Sequence, residues 1–173
     1  MGELTESDPF SPIAYRYRDA TLLHQERSAY QLIEVYAHPF FGRMLVLDGV
    51  VQLTERDEVY YHEMLVHPVL HAHPAPRSVL VVGGGDGGSM REVLQHGCVE
   101  QAVLVDIDDA VTRVVGEWLT QMAASLADPR VDRVGMAGAA FLAQNTRSFD
   151  AMASRCANGG ARPRVARPVR NPG

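Results

Sequence analysis

The fold turns on one stretch, Arg77–Leu94, which reads RSVLVVGGGDGGSMREVL. Its segment SVLVV is an almost continuous apolar run, the mark of a strand covered on both faces. A glycine-dense turn follows, and DGGSMREVLQH then carries a helix that stops at Gly97. Strand, tight turn and helix N-terminus in this order build many nucleotide pockets. Gly83, Gly85 and Gly88 satisfy the G-x-G-x-x-G spacing. Asp86 lies inside that turn, where a dinucleotide-binding loop would hold a pyrophosphate against the helix N-terminus.

Downstream, strand and helix alternate. QAVLVDID reads as a second strand, AVTRVVGEWLTQMA as a second helix and ADPRVDRV as a short third strand after an Asp-Pro turn. AGAAFLAQN is a third helix, and SFDAM begins a fourth strand. Right-handed crossovers turn this order into a parallel sheet with helices on both faces. Upstream, Leu22 to Thr54 is rich in β-branched and aromatic residues, with hairpin turns at Pro39 to Gly42 and at Asp48-Gly49. The period then changes: Val59, His62, Met64, Leu65 and Val69 suit one face of a helix that Pro68 kinks or ends. The fold class is therefore α/β, with an N-terminal antiparallel β-domain before a Rossmann-like parallel sheet. Residues 1–54 form the first unit, with 1–17 as a loose arm, and residues 55–151 form a partial nucleoside-binding unit.

At Met152 the pattern stops. Residues 152–173 contain hardly any large apolar side chain and are dense in Arg, Pro and Gly, so they cannot complete the strand that SFDAM announces. Two readings remain open: a basic disordered tail, or a chain whose reading frame is lost near Met152. The tail holds five of the 16 basic residues and no acid, so 11 arginines stand against all 21 acids in residues 1–150, a balance of −10. An acidic body argues against a nucleic-acid partner and favours a cationic ligand. No apolar run approaches the ~18 residues of a membrane span, and the N-terminus lacks the features of a signal peptide, so the expected compartment is cytoplasmic. Two cysteines without C-x-x-C spacing suggest neither a disulfide framework nor a zinc site.

Asp106 closes the second strand 18 residues after Gly88, where an acid commonly accepts hydrogen bonds from both hydroxyls of an adenosine ribose. Asp86 then discriminates among nucleoside ligands. Beside a pyrophosphate it would suffer repulsion of several kcal/mol in a partly dry site, which disfavours NAD and FAD. S-adenosylmethionine carries an ammonium that Asp86 attracts and a carboxylate that it repels. The best fit is decarboxylated S-adenosylmethionine, which keeps the amine and sulfonium alone. The competing structural reading makes Asp86 a helix N-cap.

Three segments, GRMLVLDGVVQLTERDEVYYHEMLVHPVL, VLVVGGGDGGSMREVLQH and VDID, resemble the spermidine synthase (polyamine aminopropyltransferase) family, and the similarity runs from about Ala20 to Ala151. The resemblance implies a β-domain preceding a Rossmann-like, methyltransferase-type domain, assembled as homodimers or homotetramers. The implied reaction moves an aminopropyl group from decarboxylated S-adenosylmethionine, a co-substrate, to putrescine, with no metal or further cofactor. By resemblance Gln31 contacts the nucleoside, Tyr61 and His62 line the polyamine site, Asp86 takes the aminopropyl amine, and Asp106 binds the ribose. Gly83, Gly85 and Gly87 of the turn belong to the same nucleoside site. His67, His71 and His73 form no metal-like pattern.

Two departures stand beside the matches. Relatives have Asp-Gly before the third helix to hold the adenine, whereas this chain has Ala137-Gly138 and loses an acceptor, at a cost of ~1 to 3 kcal/mol of binding. The family also continues its fourth strand into Asp-Ser/Cys/Thr-x-Asp-Pro, whose first aspartate deprotonates the attacking amine. Here MASRCANGG stands in that place with no acid downstream. Putrescine is protonated at both ends at neutral pH, and an ammonium has no lone pair with which to attack. The chain accordingly has no catalytic residue to offer, and little or no turnover is expected from it. Two other readings are a catalytically silent nucleoside-binding or oligomerising homologue, and a small-molecule methyltransferase, which Asp86 disfavours.

Overall fold

The structure is a computed structural model that describes residues 2–7 and 11–155. The segment from Arg77 to Leu94 folds as its sequence dictates: β7 (Ser78–Val82), the glycine turn, then α2 (Gly88–Leu94). Helix α2 ends before Gly97, closed by turns that Gln95 and His96 make back onto Glu92 and Val93. Parallel strands β8 (Gln101–Asp106), β9 (Val131–Gly135) and β10 (Ala151–Ser154) complete a sheet of order β10-β7-β8-β9. The chain therefore runs outward from β7 through β8 to β9, then returns to the other side of β7 at β10. This reversal opens a crevice at the carboxyl ends of β7 and β10, the usual place for a ligand in an open α/β sheet.

Both faces of this sheet are covered, which explains the unbroken apolar runs. On one face Val79, Val81, Ala102 and Leu104 pack with Val66 and Leu70 of α1 (Glu58–His71) and with Met90 and Val93 of α2. On the other, Leu80, Val103 and Val105 pack against Phe141 of α5 (Gly138–Gln144). Helix α1 tolerates Pro68 and runs one more turn to His71, and Ala72 N–H donates to the Pro68 carbonyl. The expected second long helix breaks at Leu119 into α3 (Asp109–Trp118) and α4 (Thr120–Ala123).

The N-terminal unit contains the antiparallel sheet β3 (Thr21–Arg27), β4 (Leu32–His38), β5 (Gly42–Leu47) and β6 (Val50–Thr54). The β4–β5 and β5–β6 turns fall where the sequence places them, and the latter puts Asp48 and Gly49 at φ of 50° and 79°, as a two-residue hairpin requires. One face of this sheet, through Ile33, Val35, Leu45 and Leu47, packs on Val111, Val114 and Val115 of α3. That contact joins the two units into one body.

Two expectations need correction. Residues 1–17 are no loose arm along their described length: β1 (Glu3–Ser7) and β2 (Ala14–Arg18) pair antiparallel. Leu4 and Ala20 pack with Met44 and Val46 on the second face of the N-terminal sheet, with Tyr17 against them. A single buried leucine with one supporting tyrosine is too short a pattern to read as periodicity. The fourth strand, expected to fail at Met152, continues to Ser154 in register with β7. Its inward residues are Ala151 and Ala153, both buried. Small side chains suffice there because the sheet partners Val79 and Val81 and the helix residues Val66 and Leu70 belong to the same apolar cluster. The remaining tail, 156–173, lies outside the described residues.

Candidate functional site

The crevice at the chain reversal is a cavity of about 440 Å³. Gly83, Gly85 and Asp86 form part of its wall, and Asp106, Ala137 and Gly138 another part. Gln31 and Gln52 reach it from the N-terminal unit, and Arg155 from the end of β10. Three of the residues singled out from the sequence do not line it: Gly87, Tyr61 and His62. Gly87 instead faces the other way, its carbonyl accepting from Ser125 Oγ at 2.9 Å.

The glycine turn is shaped by what surrounds it. Gly83 has φ of 71°, and a Cβ there would strike the Arg155 carbonyl oxygen, so only glycine lets β10 reach the end of β7. Asp106 secures the turn from the opposite strand. Its Oδ2 accepts from the Gly84 and Gly85 N–H groups at 3.0 and 2.8 Å, and its Oδ1 from Asp108 N–H at 3.0 Å. A carboxylate offers about four lone-pair sites, and three are engaged with backbone. Asp106 therefore shapes the loop and retains capacity for one more donor from the cavity.

Gln31 is held by a residue the sequence reading passed over. Its Nε2 donates to Asp108 Oδ2 at 2.8 Å, and the same oxygen accepts from Ser28 Oγ at 2.7 Å. Asp108 also caps α3 by accepting from Ala110 N–H at 3.2 Å. An aspartate between a strand and a helix is a recognisable cap signal, whereas its pairing with a side chain 77 positions away leaves no local trace.

Asp86 is 3% exposed and sits within a line of alternating charges that runs from Arg91 to Arg155. Arg91 grips Glu58 with two N–H groups at 2.8 and 2.9 Å, and Glu58 meets His62 Nδ1 at 2.7 Å. His62 Nε2 lies 3.4 Å from Asp86 Oδ1, ion-pair rather than hydrogen-bond geometry, while Oδ2 accepts from Arg155 Nη1. The Gly88 N–H donates to Asp86 Oδ1 at 2.8 Å. Thus Asp86 satisfies the start of α2, although Gly87 occupies the N-cap position itself, and it also serves as a counter-ion. Burial works against its charge, but His62, Arg155 and Gly88 N–H outweigh burial and hold its carboxyl below the usual range.

His62 is fully buried behind Asp86. Tyr61 lies outside it with rings 5.3 Å apart and nearly perpendicular. Burial opposes the imidazolium, yet Asp86 and Glu58 push its pKa up to about 9. A raised folded-state pKa means that His62 contributes its full stabilisation below an unfolded value near 6.5 and loses it as pH climbs through 9. The chain should therefore lose about 3 kcal/mol of unfolding free energy between pH 6.5 and 10. Urea denaturation at a series of pH values measures this, and His62→Gln should flatten the profile; an equal slope in that variant would refute the assignment.

Ala137 occupies the N-cap of α5 and makes no side-chain cap bond. Elsewhere, Glu63, His67 and Glu92 bring ligand atoms within 4.8 Å of one another, a convergence not visible in the spacing of the histidines. Glu92 there is already bonded by Arg91 Nε at 2.8 Å and by Gln95. Among the described residues no helix is long and apolar enough to cross a membrane.

Known proteins resemble the chain in both sequence and fold. Residues 58–161 match the family described as spermine/spermidine synthase domain, and residues 4–55 match the spermidine synthase tetramerisation domain. Over 145 residues the chain is 50% identical to polyamine aminopropyltransferase 1 of Aquifex aeolicus, covering 84% of this chain and 52% of that protein. It is 45% identical over 129 residues to spermidine synthase of Schizosaccharomyces pombe, covering 75% and 43% respectively. Spermidine synthase from Thermotoga maritima superposes with a TM-score of 0.84 at 33% identity, over 88% of this chain and 54% of that one. A spermidine synthase solved with the transition state analogue AdoDATO gives 0.87 at 32% identity, over 92% and 54%. The chain spans about half the length of the curated relatives it matches. With its two units each matched in turn and the cavity at their junction, the chain belongs to the spermine/spermidine synthase family.

Proposed function

We propose that this chain carries the nucleoside half of a polyamine aminopropyltransferase site and, by itself, turns over little or no substrate. The reading rests on one observation: Gln31, Asp86 and Asp106, drawn from distant parts of the sequence, converge on one cavity at the chain reversal. In the family reaction an amine of putrescine attacks the aminopropyl carbon of decarboxylated S-adenosylmethionine. A C–N bond forms, the C–S bond breaks, and methylthioadenosine leaves as a neutral thioether while the amine sheds a proton. The sulfonium is a good leaving group, so the step needs orientation and a proton acceptor more than electrophilic assistance.

A free proton acceptor is what the cavity lacks among the described residues. Among the described residues the acids lining the cavity are Asp48, Asp86 and Asp106. Asp48 Oδ1 accepts from Leu32 N–H at 2.9 Å, Asp106 holds the turn, and Asp86 is committed to His62, Gly88 and Arg155. At the end of β10, where the resemblance places the proton-accepting aspartate, stands Arg155, which cannot accept a proton. Incubation with putrescine and decarboxylated S-adenosylmethionine should release no methylthioadenosine above the uncatalysed background. Release at an enzymatic rate would overturn this half of the proposal.

Residues 1–54 are proposed as the assembly unit and 55–151 as the nucleoside-holding unit. Ile13 and Tyr15 and the β3 residues Leu22 and Leu23 present apolar surface to solvent, in keeping with a homodimer or homotetramer that covers them.

A further inference from the structure

Arg155 does more than replace an acid. Its N–H donates to the Val82 carbonyl at 2.8 Å, extending the β10–β7 ladder by one residue, so the backbone fixes where its side chain starts. From there Nη1 donates to Asp86 Oδ2 and Nη2 to the Gln52 carbonyl at 2.9 Å. The guanidinium carbon lies 5.2 Å from the centroid of the Tyr61 ring. The side chain is only about a tenth exposed. A buried carboxylate, a backbone carbonyl and an aromatic face together form a receptor for an organic cation. In this chain all three are engaged by its own guanidinium.

We infer that Arg155 is an internal ligand that closes the cationic end of the cavity. The open part then takes an adenosine-type nucleoside whose tail is uncharged or bears a carboxylate, in preference to one ending in an amine. The inference rests on the nucleoside reading above and inverts the ligand preference that Asp86 alone would set. Two physical reasons support it. An incoming ammonium competes with a tethered cation, whose effective concentration at Asp86 is on the order of millimolar or higher. Guanidinium also stays charged throughout the accessible pH range, so no change of pH vacates the position. Charge counting at this end of the cavity runs the same way: Asp86 and Glu58 are already matched by Arg155, His62 and Arg91. The other acids of the wall, Asp106 and Asp48, already accept from backbone N–H groups, so a second cation beside Asp86 meets no free counter-ion there. A carboxylate, by contrast, meets a guanidinium that presents five N–H donors, of which the two bonds above use only part.

Calorimetry on the full chain with three probes tests this: methylthioadenosine, S-adenosylmethionine and decarboxylated S-adenosylmethionine. The first two should bind at least tenfold more tightly than the third. Arg155→Gln and Arg155→Ala should strengthen binding of the decarboxylated form at least tenfold and leave methylthioadenosine within about twofold, while Arg155→Lys should keep the original order. Thermal melts identify which variants are folded, and any one folded neutral variant decides the outcome. If methylthioadenosine binds but the decarboxylated ligand binds equally well or better, or the order survives both neutral substitutions, the inference about Arg155 fails while the nucleoside reading stands. If none of the three probes binds either the wild-type chain or the folded variants, both fail.

Discussion

Replacing Gly88 with alanine should destabilise the chain by about 3 kcal/mol or more, a large share of the 5–15 kcal/mol that holds a typical domain together. Gly88 opens α2 directly against His62, and a Cβ there would lie 2.6 Å from Nε2 and nearer still to Cε1 and Nδ1. The imidazole cannot step aside cheaply, because Glu58 holds it on one edge and Asp86 on the other. The methyl group therefore either strains the helix start or breaks two buried ion pairs. Gly116→Ala supplies the control: it lies within α3, nothing stands within 4 Å of its added Cβ, and helix propensity predicts a gain of about 0.5 to 1 kcal/mol. Urea denaturation of the two variants should thus give changes of opposite sign. Similar small changes in both would mean that His62 is not wedged against the start of α2.

The second large effect is expected from Asp86→Asn, which nearly preserves shape and removes one charge. The wild-type carboxylate lies between Arg155 and His62; the amide leaves two cations facing a neutral group at a buried site. Breaking a buried pair by removing one partner costs about 3 to 5 kcal/mol, and we expect the lower part of that range because His62 keeps Glu58. The histidine reports the change independently. Its pKa, pushed up to about 9 in the wild type, should fall because burial still opposes its charge while one of two supporting carboxylates is gone. Proton NMR titration of the His62 ring follows this directly. An unchanged ring titration, together with unchanged stability, would show that the charge line from Arg91 to Arg155 does not form.

Much of this arrangement was legible in the sequence because it is local. SVLVV followed by GGGDGG and the helical segment SMREVLQH specifies strand, turn and helix through apolar run length and glycine placement, with no distant residue needed. The hairpin at Asp48-Gly49 and the start of α3 at Asp108 are similarly short-range. Reading failed at both ends for one reason. Leu4, Tyr17, Ala151 and Ala153 are too few or too small to make a pattern, yet β1 and β2 pair with each other and pack on the N-terminal sheet, and β10 joins β7. A strand is stabilised by the neighbour it joins, and a one-dimensional pattern does not reveal that neighbour.

The site shows the same division. Gly83, Gly85, Asp86 and Asp106 were identified by spacing, and the resemblance supplied Gln31, Tyr61 and His62. Spacing could not show that His62 is buried behind Asp86 while Tyr61 stays outside, because burial depends on how α1 lies against α2. It could not show that Asp106 spends three lone pairs on its own loop. Nor could it show Arg155, which reads as the first arginine of a basic tail and becomes a partner of Asp86 only when β10 docks beside β7.

By itself the sequence determined the α/β class, the order of elements, the glycine turn and the presence of an acid within it, because those depend on local backbone preference and apolar periodicity. Tertiary structure alone decided what that acid faces. Asp86 and Arg155 are 69 positions apart, and their pairing depends on the return of the chain to the free side of β7. That return brings a guanidinium from one strand end to a carboxylate after another, and the electrostatics of the cavity follow from it.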